Sequence, residues 1–148
     1  MKKYKFPVEL TSTEINIIKN VLPYTMTSKD RLSAMVKSFN YVMENNIQGD
    51  FVECGVWRGG NLILLAQLLK NKNTKRGIYG FDTFEGMTLP TDHDVDYKGN
   101  TSKQLLNSSN KIDNVQNVWS YCSIENVKKH IQLFTNLNDI NLIKGPVE

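Results

Sequence analysis

Two carboxylates, Glu53 and Asp82, flank a glycine-rich turn in a way that suits the binding of a small polar ligand. Glu53 lies in the apolar stretch FVECGV, and the turn Gly55-Val-Trp-Arg-Gly-Gly60 follows at once. Asp82 closes a second apolar stretch, GIYGFDTF, 22 residues after Gly60 (82 − 60). Glycines let a backbone come close to a ligand, and the N–H groups that open the next helix favour negative groups. Two familiar turns of this kind are excluded. The dinucleotide fingerprint needs a glycine where Trp57 stands, and the phosphate loop ends in Gly-Lys-Ser/Thr where this turn continues with Asn61 and Leu62. Pyrophosphate is therefore not the expected guest.

A carboxylate at the tip of a second parallel strand is placed to accept hydrogen bonds from ribose hydroxyls. Each such charge-assisted bond is worth about 1.5–3 kcal/mol. The expected ligand then has a free ribose and something other than pyrophosphate over the glycines. S-adenosylmethionine fits, with its carboxylate at the helix N-terminus and its amino group within reach of Glu53. Plainer readings stand beside these: Asp82 as a solvated strand-end acid, and Glu53 as a buried acid paired with a lysine or arginine.

The elements that must position these groups follow from pattern. Residues 11–22 read as a short helix with a capping box from Thr11 to Glu14, stopped by Pro23. Ser28 caps a second helix with Leu32, Met35, Val36, Phe39, Val42 and Met43 along one face. FVECGV is a buried strand, Asn61 to Leu69 a helix apolar almost all round, and Gly77 to Thr83 a second strand. Glu85 to Asn117 is a long polar loop. Ser123 caps a further helix bearing Ile124, Val127, Ile131 and Phe134, and INLIKG is a third strand. This order predicts right-handed crossovers and an α/β fold with a parallel sheet, of which about three strands are present. Residues 1–48 form an N-terminal helical segment, and residues 49–148 the first half of a Rossmann-like domain.

The remaining features narrow the class. A net charge of +3 over 148 residues gives no footprint for nucleic acid. No apolar run reaches the ~20 residues of a membrane span, and MKKYKFPVEL has no apolar core behind its lysines. Cys54 and Cys122 match no metal spacing and read as reduced thiols of a cytoplasmic protein. Asp92-His-Asp94-Val-Asp96 fails as a calcium loop, because Tyr97 replaces the glycine and Lys103 the bidentate glutamate. His93 is a candidate base in a flexible loop, and His130 falls near the seam of an amphipathic helix. Trp119 either stacks on a ligand or anchors its helix, Lys128 and Lys129 are a solvated face, and Arg58 meets a ligand carboxylate or an acidic partner.

GDFVECGVWRGG, YGFDTFEGMTLPT, Trp119-Ser with IENVKK, IKGPVE and the upstream PYTMTSKDRL resemble the macrocin O-methyltransferase (TylF-like) family from about Tyr24 to Glu148. The resemblance implies a class I methyltransferase that moves a methyl group from S-adenosylmethionine to a sugar hydroxyl with the help of a divalent metal, usually magnesium. It implies cofactor contacts from Glu53, Gly55, Gly59 and Asn61, ribose contacts from Asp82 and Thr83, and closure of the site by Tyr24, Thr25 and Met26. Phe84, Met87 and Asp92 would border the sugar pocket. The family's metal and base residues lie on and after strands four and five, which these residues do not match. The expectation is therefore a cofactor-binding first half without catalytic or metal-ligating residues, the alternative being a non-catalytic cofactor- or partner-binding module. With strand one as an exposed edge, a homo-oligomer is expected.

Overall fold

The computed structural model describes residues 6–146, so the first five residues and the last two of the IKGPVE stretch lie outside it. Helix α1 spans Ser12–Val21 and begins with the expected capping box: the Thr11 hydroxyl accepts from the Glu14 N–H, and the Glu14 carboxylate accepts from the Thr11 N–H at 2.7 Å. Glu14 is buried, and its second oxygen accepts from Asn40 Nδ2 at 2.7 Å. One acid thus starts α1 and ties it to α2, Lys29–Glu44, which Ser28 caps through the Arg31 N–H. Between them Pro23 sits in a 3-10 turn, Leu22–Tyr24. That turn leads into an extended entry segment ending at Ser28.

The strands are β1, Phe51–Cys54, β2, Ile78–Asp82, and β3, Asn141–Lys144. They are parallel and ordered β1-β2-β3, with Glu53 beside Gly80 and Cys54 beside Phe81. Helix α3, Gly60–Asn71, joins β1 to β2 and buries Leu62, Ile63, Leu64, Leu65, Leu68 and Leu69. It comes so close to the sheet that a Cβ on Gly80 would stand 2.6 Å from Leu62 Cδ1. Helix α5, Ile124–Gln132, adds Val127 and Ile131 to the same core as α1, α2 and α3.

Phe51 turns into that core and stacks on Phe39 with ring centroids 5.6 Å apart. Its neighbour Val52 faces the other way and is 61% exposed, and Cys54 is exposed beside it. Parallel sheets are ordinarily covered on both faces. Here β1 is an edge strand with one face open.

Two local expectations differ from the structure. The polar stretch 85–117 contains a short helix α4, Ser102–Asn107, started by a capping box from Thr101 to Gln104. Ser123 does stand at the start of α5, yet its side chain makes no capping bond. The Asp113 carboxylate from the preceding loop instead accepts from the Ser123 N–H at 2.8 Å and from Asn126 Nδ2 at 3.0 Å.

Candidate cofactor site

The C-terminal ends of β1 and β2 meet at Asp82. Its Oδ2 accepts from the N–H groups of Val56 at 2.7 Å and Trp57 at 3.1 Å. Its Oδ1 accepts from the Phe84 N–H at 2.7 Å, with the Thr83 hydroxyl more distant at 3.5 Å. Trp57 and Phe84 are both non-glycine residues at positive φ, 50° and 53°. A left-handed residue costs roughly 1–2 kcal/mol, and a charged acceptor on each N–H offsets it. Asp82 therefore shapes the glycine turn and the turn after β2 together. Its Oδ2 is filled by two donors, while Oδ1 retains room for one well-aligned hydroxyl.

Glu53 stands one strand away in a different environment. Its Oε1 accepts from Asn61 Nδ2 at 2.7 Å, and its Oε2 is shut from solvent without a partner among the described residues. Burial pushes the Glu53 carboxyl up to about 7; the Asn61 bond works against the shift and the charge of Asp82 adds to it. The partner is an amide rather than the lysine or arginine of the plainer sequence reading. Asn61 carries the connection further: its Oδ1 accepts from the Thr25 hydroxyl at 3.1 Å, and its Nδ2 reaches Thr27 Oγ1 at 3.3 Å. The acid in the strand is thus wired through the first turn of α3 to the entry segment.

That segment runs directly over the helix start. A Cβ on Gly60 would come within 2.6 Å of the Tyr24 carbonyl oxygen, so only glycine fits there. Tyr24 itself packs on the rings of His130 and Phe134, with centroids 4.9 and 5.3 Å away. Burial pulls the pKa of His130 down, and its Nδ1 lies 3.2 Å from the Arg58 carbonyl. A structural role fits this histidine.

Between these walls lies a cleft of about 360 Å³, inside the range of small-molecule sites. Of the residues singled out from sequence, Thr25, Met26, Gly55, Asn61, Asp82, Thr83 and Met87 line it. Glu53 supports the lining through Asn61, and Tyr24 supports it from behind. Gly59 faces α5, where an added Cβ would meet Val127 at 3.3 Å. Phe84 is buried in the core, and Asp92 stands exposed on the loop without lining the cleft. The lining also includes Thr27, Trp57, Gly86 and Ser120, which sequence reasoning did not select. The Thr-Met-Thr alternation 25–27 was the available signal for Thr27, whereas nothing local marks Ser120. Trp119 is an anchor: its Nε1 donates to the Ser109 carbonyl at 2.9 Å. Among the described residues no group of three or more His, Cys, Asp or Glu side chains converges as a metal site.

The sheet order, the turn after β1 and a carboxylate closing β2 are those of a Rossmann-like α/β fold, and a solved structural neighbour is a methyltransferase. The sequence of residues 12–139 matches the family model described as Macrocin-O-methyltransferase (TylF), and the chain belongs to that family. It is 37% identical over 65 residues to the 8-demethyl-8-(2,3-dimethoxy-alpha-L-rhamnosyl)-tetracenomycin-C 4'-O-methyltransferase of Streptomyces olivaceus, covering 43% of this chain and 25% of that protein. It is 33% identical over 90 residues to the demethyldecarbamoylnovobiocin O-methyltransferase of Streptomyces niveus, covering 60% of this chain and 33% of that one. The solved O-methyltransferase NovP superposes with a TM-score of 0.62 and 26% identity, over 82% of this chain and 47% of its own. The matches thus span about a quarter to a third of the two relatives' length.

Proposed function

We propose that the chain is the donor-binding part of an S-adenosylmethionine-dependent O-methyltransferase acting on a sugar hydroxyl of a natural-product or polysaccharide precursor. The observation that carries this reading is the Glu53–Asn61 pair beside the cleft. A buried carboxylate oxygen without a partner among the described residues, next to a small-molecule site, is suited to a cationic group, and Asp82 keeps one acceptor direction for a hydroxyl. Asn61, Thr25 and Thr27 would orient the amino-acid end of the cofactor, and Asp82 with Thr83 the ribose. When bound, the cofactor supplies an electrophilic methyl carbon. This chain's own part is to hold the donor at the strand ends, with Met26 and Met87 on the open side. Because the described residues converge on no metal, no step is assigned to one, and magnesium enters as a family expectation. The sugar acceptor rests on the named substrates of the relatives, and self-association of the chain on its open sheet edge. Cys54 and Cys122 are free thiols, which suits a reducing, cytoplasmic compartment.

Titration calorimetry tests the reading. S-adenosylhomocysteine and its 2′,3′-dideoxy analogue are compared on the native chain and on Asp82→Asn. Because Asp82 also shapes the turn, the informative quantity is the coupling between the two changes. The expected result is that deleting the hydroxyls costs about tenfold in affinity on the native chain and little on Asp82→Asn. An equal cost on both removes the ribose role, and no binding by the native chain removes the whole reading.

A further inference from the structure

Arg58 lies in the glycine turn, yet its guanidinium is directed at main-chain carbonyls rather than into the cleft. Its Nη1 donates to the Pro23 carbonyl at 3.0 Å, and its Nη2 donates to the Asn114 carbonyl. The guanidinium lies 4.6 Å from the centroid of the Trp57 ring. Pro23 leads into Thr25, Met26 and Thr27, which form one wall of the cleft, and Asn114 belongs to the loop that brings Ser120 to the other. Asn114 is held in a left-handed conformation with φ 60°, and its N–H donates to the Tyr121 carbonyl at 3.0 Å. A pull on Asn114 is therefore felt beside Ser120. The two walls touch where the Ser120 hydroxyl lies 3.9 Å from Met26 Sδ.

We propose that Arg58 is a positioning residue of this cleft: it latches the entry segment 22–28 to the 108–121 loop, so that both walls open and close together. The rigid fork of a guanidinium donates in two directions at once, which the point charge of a lysine does not reproduce. Stacking on Trp57 fixes the plane of the fork relative to the turn that Asp82 shapes. The latch belongs to the chain itself, so it stands or falls independently of which ligand the cleft takes.

Hydrogen exchange read by mass spectrometry on the 148-residue chain without ligand provides the test. Arg58→Ala is expected to speed exchange about tenfold or more at both Thr25–Ser28 and Asn114–Ser120, while Gly80 and Phe81 in β2 keep their native rates. Millimolar methylguanidinium restores protection at both walls together. Asn61→Ala, which cuts the bonds to Thr25, Thr27 and Glu53 and none to the 108–121 loop, speeds the first wall alone. Release of one wall alone by Arg58→Ala, or faster exchange that includes β2 and that methylguanidinium does not reverse, overturns the latch. If Arg58→Ala does not fold, Arg58→Lys decides: faster exchange at both walls supports the latch, and native rates at both overturn it.

Discussion

Glu53 and Asp82 stand at adjacent strand ends with different hydrogen-bond partners. Asp82 accepts backbone N–H groups on both of its oxygens, whereas the Glu53 carboxyl is pushed from 4.5 up to about 7 by burial, with the charge of Asp82 adding to the shift. A carboxyl whose folded-state pKa is raised binds its proton more tightly in the native state than in the unfolded chain. Its stabilising effect is complete below about 4.5 and is lost as pH rises through about 7. The variant Glu53→Gln does not titrate there. Its stability relative to the native chain is therefore expected to rise by up to about 3 kcal/mol between about pH 5 and pH 8, as measured by urea unfolding at each pH. A difference that stays flat across that range contradicts the assignment. A bound ammonium group would shrink the effect, because a cation beside Glu53 favours its ionised form.

The glycine turn and α3 place these acids, and the entry segment closes over them through Gly60. Gly60→Ala would put a Cβ 2.6 Å from the Tyr24 carbonyl oxygen, a backbone atom that moves only with its whole segment. A loss of about 1–3 kcal/mol is expected in thermal or urea unfolding, with Thr25 and Thr27 displaced from Asn61 in the amide spectrum. Native stability for this variant would show that the segment yields freely. The strands were legible in the sequence as short runs rich in apolar and β-branched residues, α3 because it is apolar on nearly every side, and α1 because Thr11 and Glu14 make a capping box from local residues alone. Helix α4 was not, since its capping box sits in a polar stretch without an apolar stripe. The two carboxylates of the site were legible by type and spacing. Most of their bonding was not: apart from the neighbouring Phe84 N–H, the N–H groups that Asp82 accepts lie 26 and 25 residues away, and the Thr25–Asn61 bond spans 36. Such bonds depend on how the elements pack, which no local pattern encodes.

The packed helices, including the start of α3 over the site, lie on one face of the sheet and leave the other open at β1. Phe51 and Gly55 donate to the carbonyls of Gly77 and Phe81 in the β2 chain, so the alternate residues Val52 and Cys54 turn their peptide groups to the open edge. An apolar edge of this kind favours pairing between copies. Sedimentation of the 148-residue chain is expected to show concentration-dependent association. Val52→Lys, a change at an exposed position, is expected to reduce it without lowering the unfolding midpoint; a monomer at every concentration would contradict this. An amide footprint of S-adenosylhomocysteine reads the occupancy of the cleft itself. Ligand-dependent shifts or protection are expected at Thr25–Thr27, Gly55–Trp57 and Thr83. None are expected in the basic groove at the other end of the sheet, around Lys70, Lys75 and Arg76. A footprint in that groove, or none at saturating ligand, would contradict occupancy of the cleft.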